Sequence, residues 1–338
     1  MDVKRLAASF LIAAQEHGFS AKQQDRIVLA TVGIYRTAMY GFASMKTLDV
    51  WYSQLEIEAT LARFGAQLKP TAFKRTKKAL AKARTRDSMS AFSKLTADID
   101  GVARIVADPP LIVPIDSLAA GAQRDQLLGW LQALLEDYRV TLPHDRRVLL
   151  EQFALSDFAR KVVGVGSVGT RTWIALLSGR DGHDPLFLQT KEAETSVLEA
   201  YLPRSKFDNH GQRVVVGQHL MQAASDIFLG WLRVAGDADE PARDFYGRQL
   251  RDWKGSVEIG RMAPSGLAAY GRLCGWTLAR AHARTGDRIA IAAYLGRGAR
   301  FDDAMLRFSH AYADQNARDY QTLVDAVKAG KITAATGL

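Results

Sequence analysis

Apolar residues recur three and four positions apart through most of the first half of the chain, which is the spacing of helices with one buried side. Gly18 ends the first of these runs, and Ser20 can cap the second. The predicted helices of this half lie at 2–16, 20–42, 48–64, 122–138 and 145–153. The same spacing returns near the C-terminus and predicts helices at 267–284, 287–295 and 301–328. The chain is therefore predicted to be predominantly helical.

Short β-prone runs interrupt the helices in two places. Residues 103–106 and 111–114, joined by the turn at Asp108-Pro109-Pro110, predict a small hairpin. From Phe158 to about Gln249, further runs predict four or five antiparallel strands with one helix at 209–227 against them. The predicted fold class is thus α+β with a small antiparallel sheet. The predicted regions are a helical region at 1–154, a strand-rich lobe at 155–255 and a C-terminal helical region at 256–338.

Three glycines in the strand-rich lobe, Gly164, Gly166 and Gly169, have the spacing G-x-G-x-x-G. Glycine lets backbone amides approach a polyphosphate closely, because it lacks a Cβ and accepts positive φ. A dinucleotide-binding turn with this spacing opens a helix, whereas a kinase-type loop lies between two antiparallel strands. Residues 170–174 are β-prone, so the sequence favours the kinase-type loop, with Ser167 among the residues over the phosphates.

Lys191 follows the next predicted strand, Leu186 to Thr190, and we place it at the end of that strand. In kinases a strand lysine contacts the α and β phosphates and is held by a carboxylate on a following helix. Glu199 is the candidate for that carboxylate, because the helix at 209–227 contains no glutamate. A turn glycine or a solvated lysine is the commoner explanation of each feature alone. Their order and predicted setting favour nucleotide contact.

The composition fits an enzyme-sized chain. It has 338 residues, nearly half of them apolar, but no apolar stretch of membrane-spanning length, and its best early run, 6–14, is interrupted by Ser9. The single cysteine, Cys274, excludes an internal disulfide framework and fits a reducing, cytoplasmic location. No paired Cys/His spacing indicates a zinc site.

The net charge of +9 is concentrated in one segment. Eight basic residues and no acidic residue lie between Lys69 and Arg86, so the rest of the chain carries +1. This basic run has helical spacing after Pro70 and would attract phosphates, of which nucleic acid is one source. A solvated helix face, or one facing an acidic cleft, is the favoured interpretation.

Several long strings identify a resemblance that covers nearly the whole chain. They include FLQTKEAETSVLEAYL, YGRQLRDWKGS and GLAAYGRLCGWTLARAHARTGD, with DVKRLAAS at the start and DPPLIVP in the middle. In this order they resemble the bacterial family called domain of unknown function 2252. Members of that family carry, before DVKRLAAS, a GDAHLxNFG string and a DLNDFDE string. These are similar to the catalytic-loop and metal-binding motifs of aminoglycoside phosphotransferase-like kinases.

The resemblance implies a kinase-like fold, ATP and Mg²⁺ as cofactors, and an unknown small molecule as phosphoryl acceptor. Met1 stands directly before Asp2, so both carboxylate-bearing strings are missing from this sequence. We therefore assign no catalytic residue and no metal ligand, and we expect weak nucleotide binding and little turnover. Asp314 and Asn316 have suitable chemistry but are predicted to form a polar helix face, and His282 resembles a structural support.

Two other function classes remain open at this point. A non-catalytic interaction module, or one associated with nucleic acid, would use the basic run at 69–86. An NAD-dependent oxidoreductase would need a helix directly after Gly169, and the β-prone residues there disfavour it. Membrane association is not expected.

Overall fold

The computed structural model describes residues 1–53, 88–99, 101–117, 122–162, 169–181, 184–236, 241–250 and 257–334. The chain divides into two compact units: one comprises Met1–Thr76 and Ser256–Leu338, and the other comprises Lys77–Gly255. We call them the helical unit and the sheet unit. The division into three regions stays a prediction.

The described helices are, in chain order, α1 (Asp2–Glu16), α2 (Ala21–Ser44), α3 (Thr47–Tyr52), α4 (Ser88–Leu95), α5 (Ala122–Val140), α6 (His144–Leu150), α7 (His210–Met221), α8 (Pro264–Thr285), α9 (Arg288–Leu295) and α10 (Arg300–Lys328). The strands are β1 (Thr96–Ile99), β2 (Val102–Ile105), β3 (Ile112–Pro114), β4 (Ala154–Lys161), β5 (Thr172–Ser178), β6 (Pro185–Ala193), β7 (Gly230–Val234) and β8 (Arg243–Gln249). Short 3-10 helices lie at Ile115–Ser117, Val197–Ala200 and Ile259–Arg261.

Local signals explain where the helices of the helical unit begin. Ser20 and Gln23 form a capping box at the start of α2, in which the Gln23 Oε1 accepts a hydrogen bond of 2.9 Å from the Ser20 amide. Asp287 caps α9 by accepting hydrogen bonds from two backbone amides. The α1 helix has the predicted bounds, α8 differs from its prediction by three residues at its start and one at its end, and α9 and α10 differ by one residue at their starts only.

Small residues let α2 and α8 pack closely inside the helical unit. Gly275 of α8 lies so near α2 that an added Cβ would meet the Thr31 carbonyl oxygen at 2.3 Å. Around this contact, buried apolar side chains from α1, α2, α8, α9 and α10 form the core of the unit. The third predicted helix, 48–64, is described only as far as α3, and the basic run at 69–86 lies outside the described residues.

The sheet unit contains a six-stranded antiparallel sheet in the order β3-β4-β5-β6-β8-β7. On one face, Ile174, Leu176 and Phe187 pack against Leu95 of α4 and Ile105 of β2. On the opposite face, Leu177, Leu186 and Leu188 pack against Tyr138 of α5 and against Leu142, which follows that helix. The mixed α/β fold with small antiparallel sheets is therefore confirmed.

The predicted hairpin at 103–114 is wrong in its pairing, although both of its strands exist. β2 pairs with β1 through a turn in which the Gly101 amide donates to Asp98 Oδ1 and φ of Gly101 is +78°. β3 pairs with β4, far along the chain. The prediction missed β1 because its polar residues do not stand out as a strand, and β2 was therefore given the wrong partner.

None of the helices in the described parts of the chain is long and apolar enough to cross a membrane.

Candidate functional site

The glycine segment joins two neighbouring antiparallel strands. β4 ends at Lys161 and β5 begins at Thr172, and the two strands pair directly, with Arg160 opposite Trp173. Gly169 has φ of +82°, which favours glycine. Gly164, Gly166 and Ser167 lie outside the described residues. A strand follows Gly169, as predicted, so the helix that an NAD-binding turn requires there is replaced by β5.

Lys191 lies inside β6, near the end of the sheet at which the glycine segment enters β5. It is opposite Thr172 of β5 on one side and Tyr246 of β8 on the other. The predicted strand end at Thr190 is too early, because pairing with β8 continues to Ala193. Lys191 is therefore held by hydrogen-bonded neighbours on both sides.

Polar side chains share one face at this end of the sheet, because directly opposed residues, and residues two apart on a strand, point to the same side, and five of them lie on β5, β6 and β8 around Lys191. We call them the cationic patch: Thr172, Gln189, Lys191, Tyr246 and Arg248. They continue the face that Ile174 and Phe187 form further along β5 and β6. The apolar packing of this face thus gives way to polar and positively charged groups beside the glycine segment.

Several polar atoms of the cationic patch are buried without a partner. The exposed fractions of Thr172 and Gln189 are only 2% and 3%. Their Oγ1 and Nε2 atoms, together with Nε of Arg248, have no hydrogen-bond partner in the described part of the chain. An unsatisfied buried polar group costs about 1–3 kcal/mol. A ligand that accepts hydrogen bonds at this place would remove that cost.

The positive charges of Lys191 and Arg248, both in the cationic patch, repel each other. Burial lowers the pKa of the Lys191 ammonium below its usual value of 10.5, and the positive charge of Arg248 lowers it further. Burial raises the pKa of Tyr246, while Arg248 acts in the opposite direction. Neither Lys191 nor Arg248 forms a side-chain hydrogen bond or ion pair with another described residue. The patch therefore has a local excess of positive charge that suits an anion.

Glu199, the predicted partner of Lys191, lies in the 3-10 helix Val197–Ala200, whose start is capped by Ser196. Its Oε1 is buried and has no hydrogen-bond partner among the described residues. No ion pair joins the Glu199 carboxylate to the Lys191 ammonium, so their pairing stays a prediction. Glu192 is engaged elsewhere, because it pairs with Arg243 at 2.7 Å and accepts the Arg171 amide at 2.9 Å.

Sequence reasoning did not identify Thr172, Gln189 or Arg248 as site residues. Thr172 precedes the apolar run of β5 and Gln189 follows the apolar run of β6, and those positions were the available signal. Arg248 had no such signal, since its approach to Lys191 depends on the pairing of β6 with β8.

The other singled-out residues lie in the helical unit. His282 Nδ1 is 2.8 Å from the Tyr35 hydroxyl, and its Nε2 is 3.3 Å from Asp2 Oδ2. Burial, followed by the charge of Asp2, raises the pKa of Tyr35 to about 12. Asp314 and Asn316 are exposed on α10.

Within the described ranges, no group of three or more His, Cys, Asp or Glu side chains could hold a metal ion.

Comparison with curated proteins and with solved structures found no match to this chain. One family model matches residues 1–326, and its description is an uncharacterized protein conserved in bacteria, DUF2252. This match extends over both the helical and the sheet unit. The chain therefore belongs to the DUF2252 family.

Proposed function

We propose that the protein has a kinase-like, ATP-binding phosphotransferase fold for a small-molecule substrate, with no catalytic residue assigned in this chain. One observation carries the proposal: the glycine segment joins two antiparallel strands, and Lys191 lies on the next strand opposite Thr172, just beyond that segment. A glycine loop between strands, followed by a lysine on the neighbouring strand, is the arrangement with which kinases hold nucleotide phosphates.

Each proposed site residue has a distinct role. The backbone at Gly164, Gly166, Ser167 and Gly169 would cover the phosphates, and the Lys191 ammonium would bind the α- and β-phosphate oxygens. Glu199 would orient Lys191 when nucleotide is bound. ATP supplies the phosphoryl group, and Mg²⁺ supplies charge neutralisation when bound. We assign no Mg²⁺ ligand, because the described residues contain no suitable cluster.

The chemistry of the sheet supports an anionic ligand. Phosphate oxygens would accept hydrogen bonds from the buried donors of the cationic patch and would offset the repulsion between Lys191 and Arg248. Binding of an anion would raise the pKa of Lys191, since an opposite charge favours the protonated form. Nucleotide affinity should then fall as the pH rises through the pKa of Lys191 in the free protein, which lies below 10.5.

The direct test is ATP binding by the full chain, measured by isothermal titration calorimetry. Lys191→Met removes the charge but keeps most of the side-chain volume, and it should weaken ATP binding about tenfold to a hundredfold, as loss of a charge-assisted hydrogen bond does. Lys22→Met, an equal change at an exposed position of α2, is the matched control and should leave ATP affinity unchanged. Equal ATP affinity of the Lys191→Met and wild-type proteins would contradict the proposal.

A second candidate function rests on the basic run. Eight basic residues without an acidic one between Lys69 and Arg86 would support binding to nucleic acid as a non-catalytic module. The two candidates are separable, because the cationic patch and the basic run share no residue.

A further inference from the structure

We infer that Arg248 is a second phosphate-binding residue, and that Thr172, Gln189, Lys191 and Arg248 together bind a ligand that carries two or more linked phosphates. The inference rests on the proposed function for the nature of the ligand. It adds three side chains that the glycine motif and its lysine do not include, and it excludes a ligand with a single phosphate as the preferred occupant.

The sheet register brings the two cations to one place. Arg248 lies directly opposite Gln189, and Tyr246 lies directly opposite Lys191, so Arg248 and Lys191 are diagonal neighbours on the same face. Diagonal neighbours in an antiparallel pair are about 7–8 Å apart, a distance that long side chains bridge. Both cationic heads can therefore reach one ligand above β6 and β8.

The surroundings of these cations are those of a binding site and not of a solvated surface. Both side chains are half-buried, and the Arg248 Nε is shielded from solvent without a hydrogen-bond partner in the described part of the chain. Two neighbouring positive charges that form no ion pair with an acidic residue of the described ranges oppose folding. An anion bound between Lys191 and Arg248 would replace this repulsion with attraction, so the arrangement favours anion binding.

Thr172 and Gln189 extend the site across the sheet. Both are almost fully buried, and each keeps an unpartnered atom that can donate a hydrogen bond. The four side chains come from β5, β6 and β8, which are consecutive neighbours in the sheet. Strands are spaced about 4.8 Å apart, so the three strands that carry these donors cover about 10 Å. One tetrahedral phosphate is too small to meet donors over that width, whereas a di- or triphosphate chain is long enough.

The experiment compares inorganic phosphate, pyrophosphate, tripolyphosphate and ATP as ligands of the full chain by calorimetry. Arg248→Gln should weaken tripolyphosphate and ATP binding by about tenfold or more, as loss of a charged donor does. Arg160→Gln is the matched control: it removes the same charge from the same sheet, but Arg160 lies opposite Trp173 on the other face. Its affinities should equal those of the wild type, and wild-type affinity should rise from phosphate to tripolyphosphate.

Two further measurements separate binding from a structural role. Removal of Arg248 should raise the pKa of Lys191 towards 10.5, measured by NMR of ¹³C-methylated lysines, whereas Arg160→Gln should not change it. Gln189→Met keeps the shape of the side chain, removes the unpartnered amide, and should weaken tripolyphosphate binding without lowering the melting temperature. This variant keeps the test decisive if Arg248→Gln folds poorly.

The outcomes distinguish this inference from the proposed function. If Lys191→Met loses ATP binding while Arg248→Gln and Gln189→Met bind tripolyphosphate and ATP like the wild type, the inference fails and the proposed function stands. If inorganic phosphate binds as tightly as tripolyphosphate, the inference also fails. If the wild type binds neither ATP nor tripolyphosphate, both fail.

Discussion

Asp244, at the start of β8, accepts hydrogen bonds from groups on two other segments, the start of α7 and β7. The Asn209 Nδ2, the His210 amide and the Arg233 Nε donate to its carboxylate at 3.1, 2.7 and 2.6 Å. Burial alone would raise the pKa of Asp244, but the hydrogen bonds from Arg233 and from the His210 amide outweigh it and hold the pKa below the usual 3.8. One carboxylate thus fixes the start of α7 against the β7–β8 pair.

Asp244→Asn should lower the free energy of unfolding at pH 7 by about 1–3 kcal/mol, because charge-assisted hydrogen bonds are lost. The folded pKa lies below the unfolded value, so the contribution of Asp244 is fully present above about pH 4 and is lost as the pH falls through the folded pKa. Urea unfolding between pH 7 and pH 2 should therefore show the two proteins converging. A constant difference down to pH 2 would contradict this account.

Lys191 should lower the free energy of unfolding at neutral pH, although we propose that it contributes to nucleotide binding. The folded pKa lies below the unfolded 10.5, so the wild type gains stability as the pH rises from the folded pKa towards 10.5. Lys191→Met should lack this gain, and at pH 7 it should melt at the same or a higher temperature than the wild type. Thermal melts at pH 7 and pH 10 check both points. A clearly lower melting temperature at pH 7 would indicate that Lys191 has a structural role instead.

Glycines at helix contacts show what sets the spacing between elements. An added Cβ on Gly275 would meet the Thr31 carbonyl oxygen at 2.3 Å and Ile34 Cγ2 at 2.7 Å, so α8 can approach α2 only with glycine there. Gly41, also in α2, has nothing within 4 Å of its added Cβ. The two positions therefore form a natural pair for a substitution test.

Gly275→Ala should destabilise the protein by about 1–3 kcal/mol, since the two helices must move apart. Gly41→Ala should leave stability unchanged or increase it by up to about 1 kcal/mol, because alanine favours a helix and no contact opposes it. Urea unfolding of both variants measures the difference. Equal stability of the two variants would show that the α2–α8 contact is looser than the structure has it.

Prediction from sequence succeeded for elements that a local pattern defines. The helices of the helical unit have apolar periodicity and capping residues, so α1 and α9 were found close to their bounds. Pairing between distant strands has no local pattern: the partner of β3 and the extension of β6 to Ala193 depend on β4 and β8. For the same reason the motif pointed to Lys191 but not to Arg248.

The charge of the whole molecule permits a test of the second candidate function. Lys77→Ala combined with Lys78→Ala removes two of the eight charges of the basic run. If the run contacts DNA, the slope of log affinity against log salt should become shallower by about 1.8, at about 0.9 for each phosphate contact. ATP affinity should stay at the wild-type value. A loss of ATP affinity in this variant would mean that the basic run serves the nucleotide.

The helical unit is assembled from the two ends of the chain, and this has a consequence for synthesis on the ribosome. Tyr35 of α2 and His282 of α8 are in contact although they are 247 positions apart. During translation, the apolar side chains of α1 and α2 that pack against α8 to α10 therefore stay exposed until the whole sheet unit has been synthesised. The sheet unit can fold before they are covered. We expect nascent chains stalled before residue 264 to engage chaperones, and full-length chains to release them.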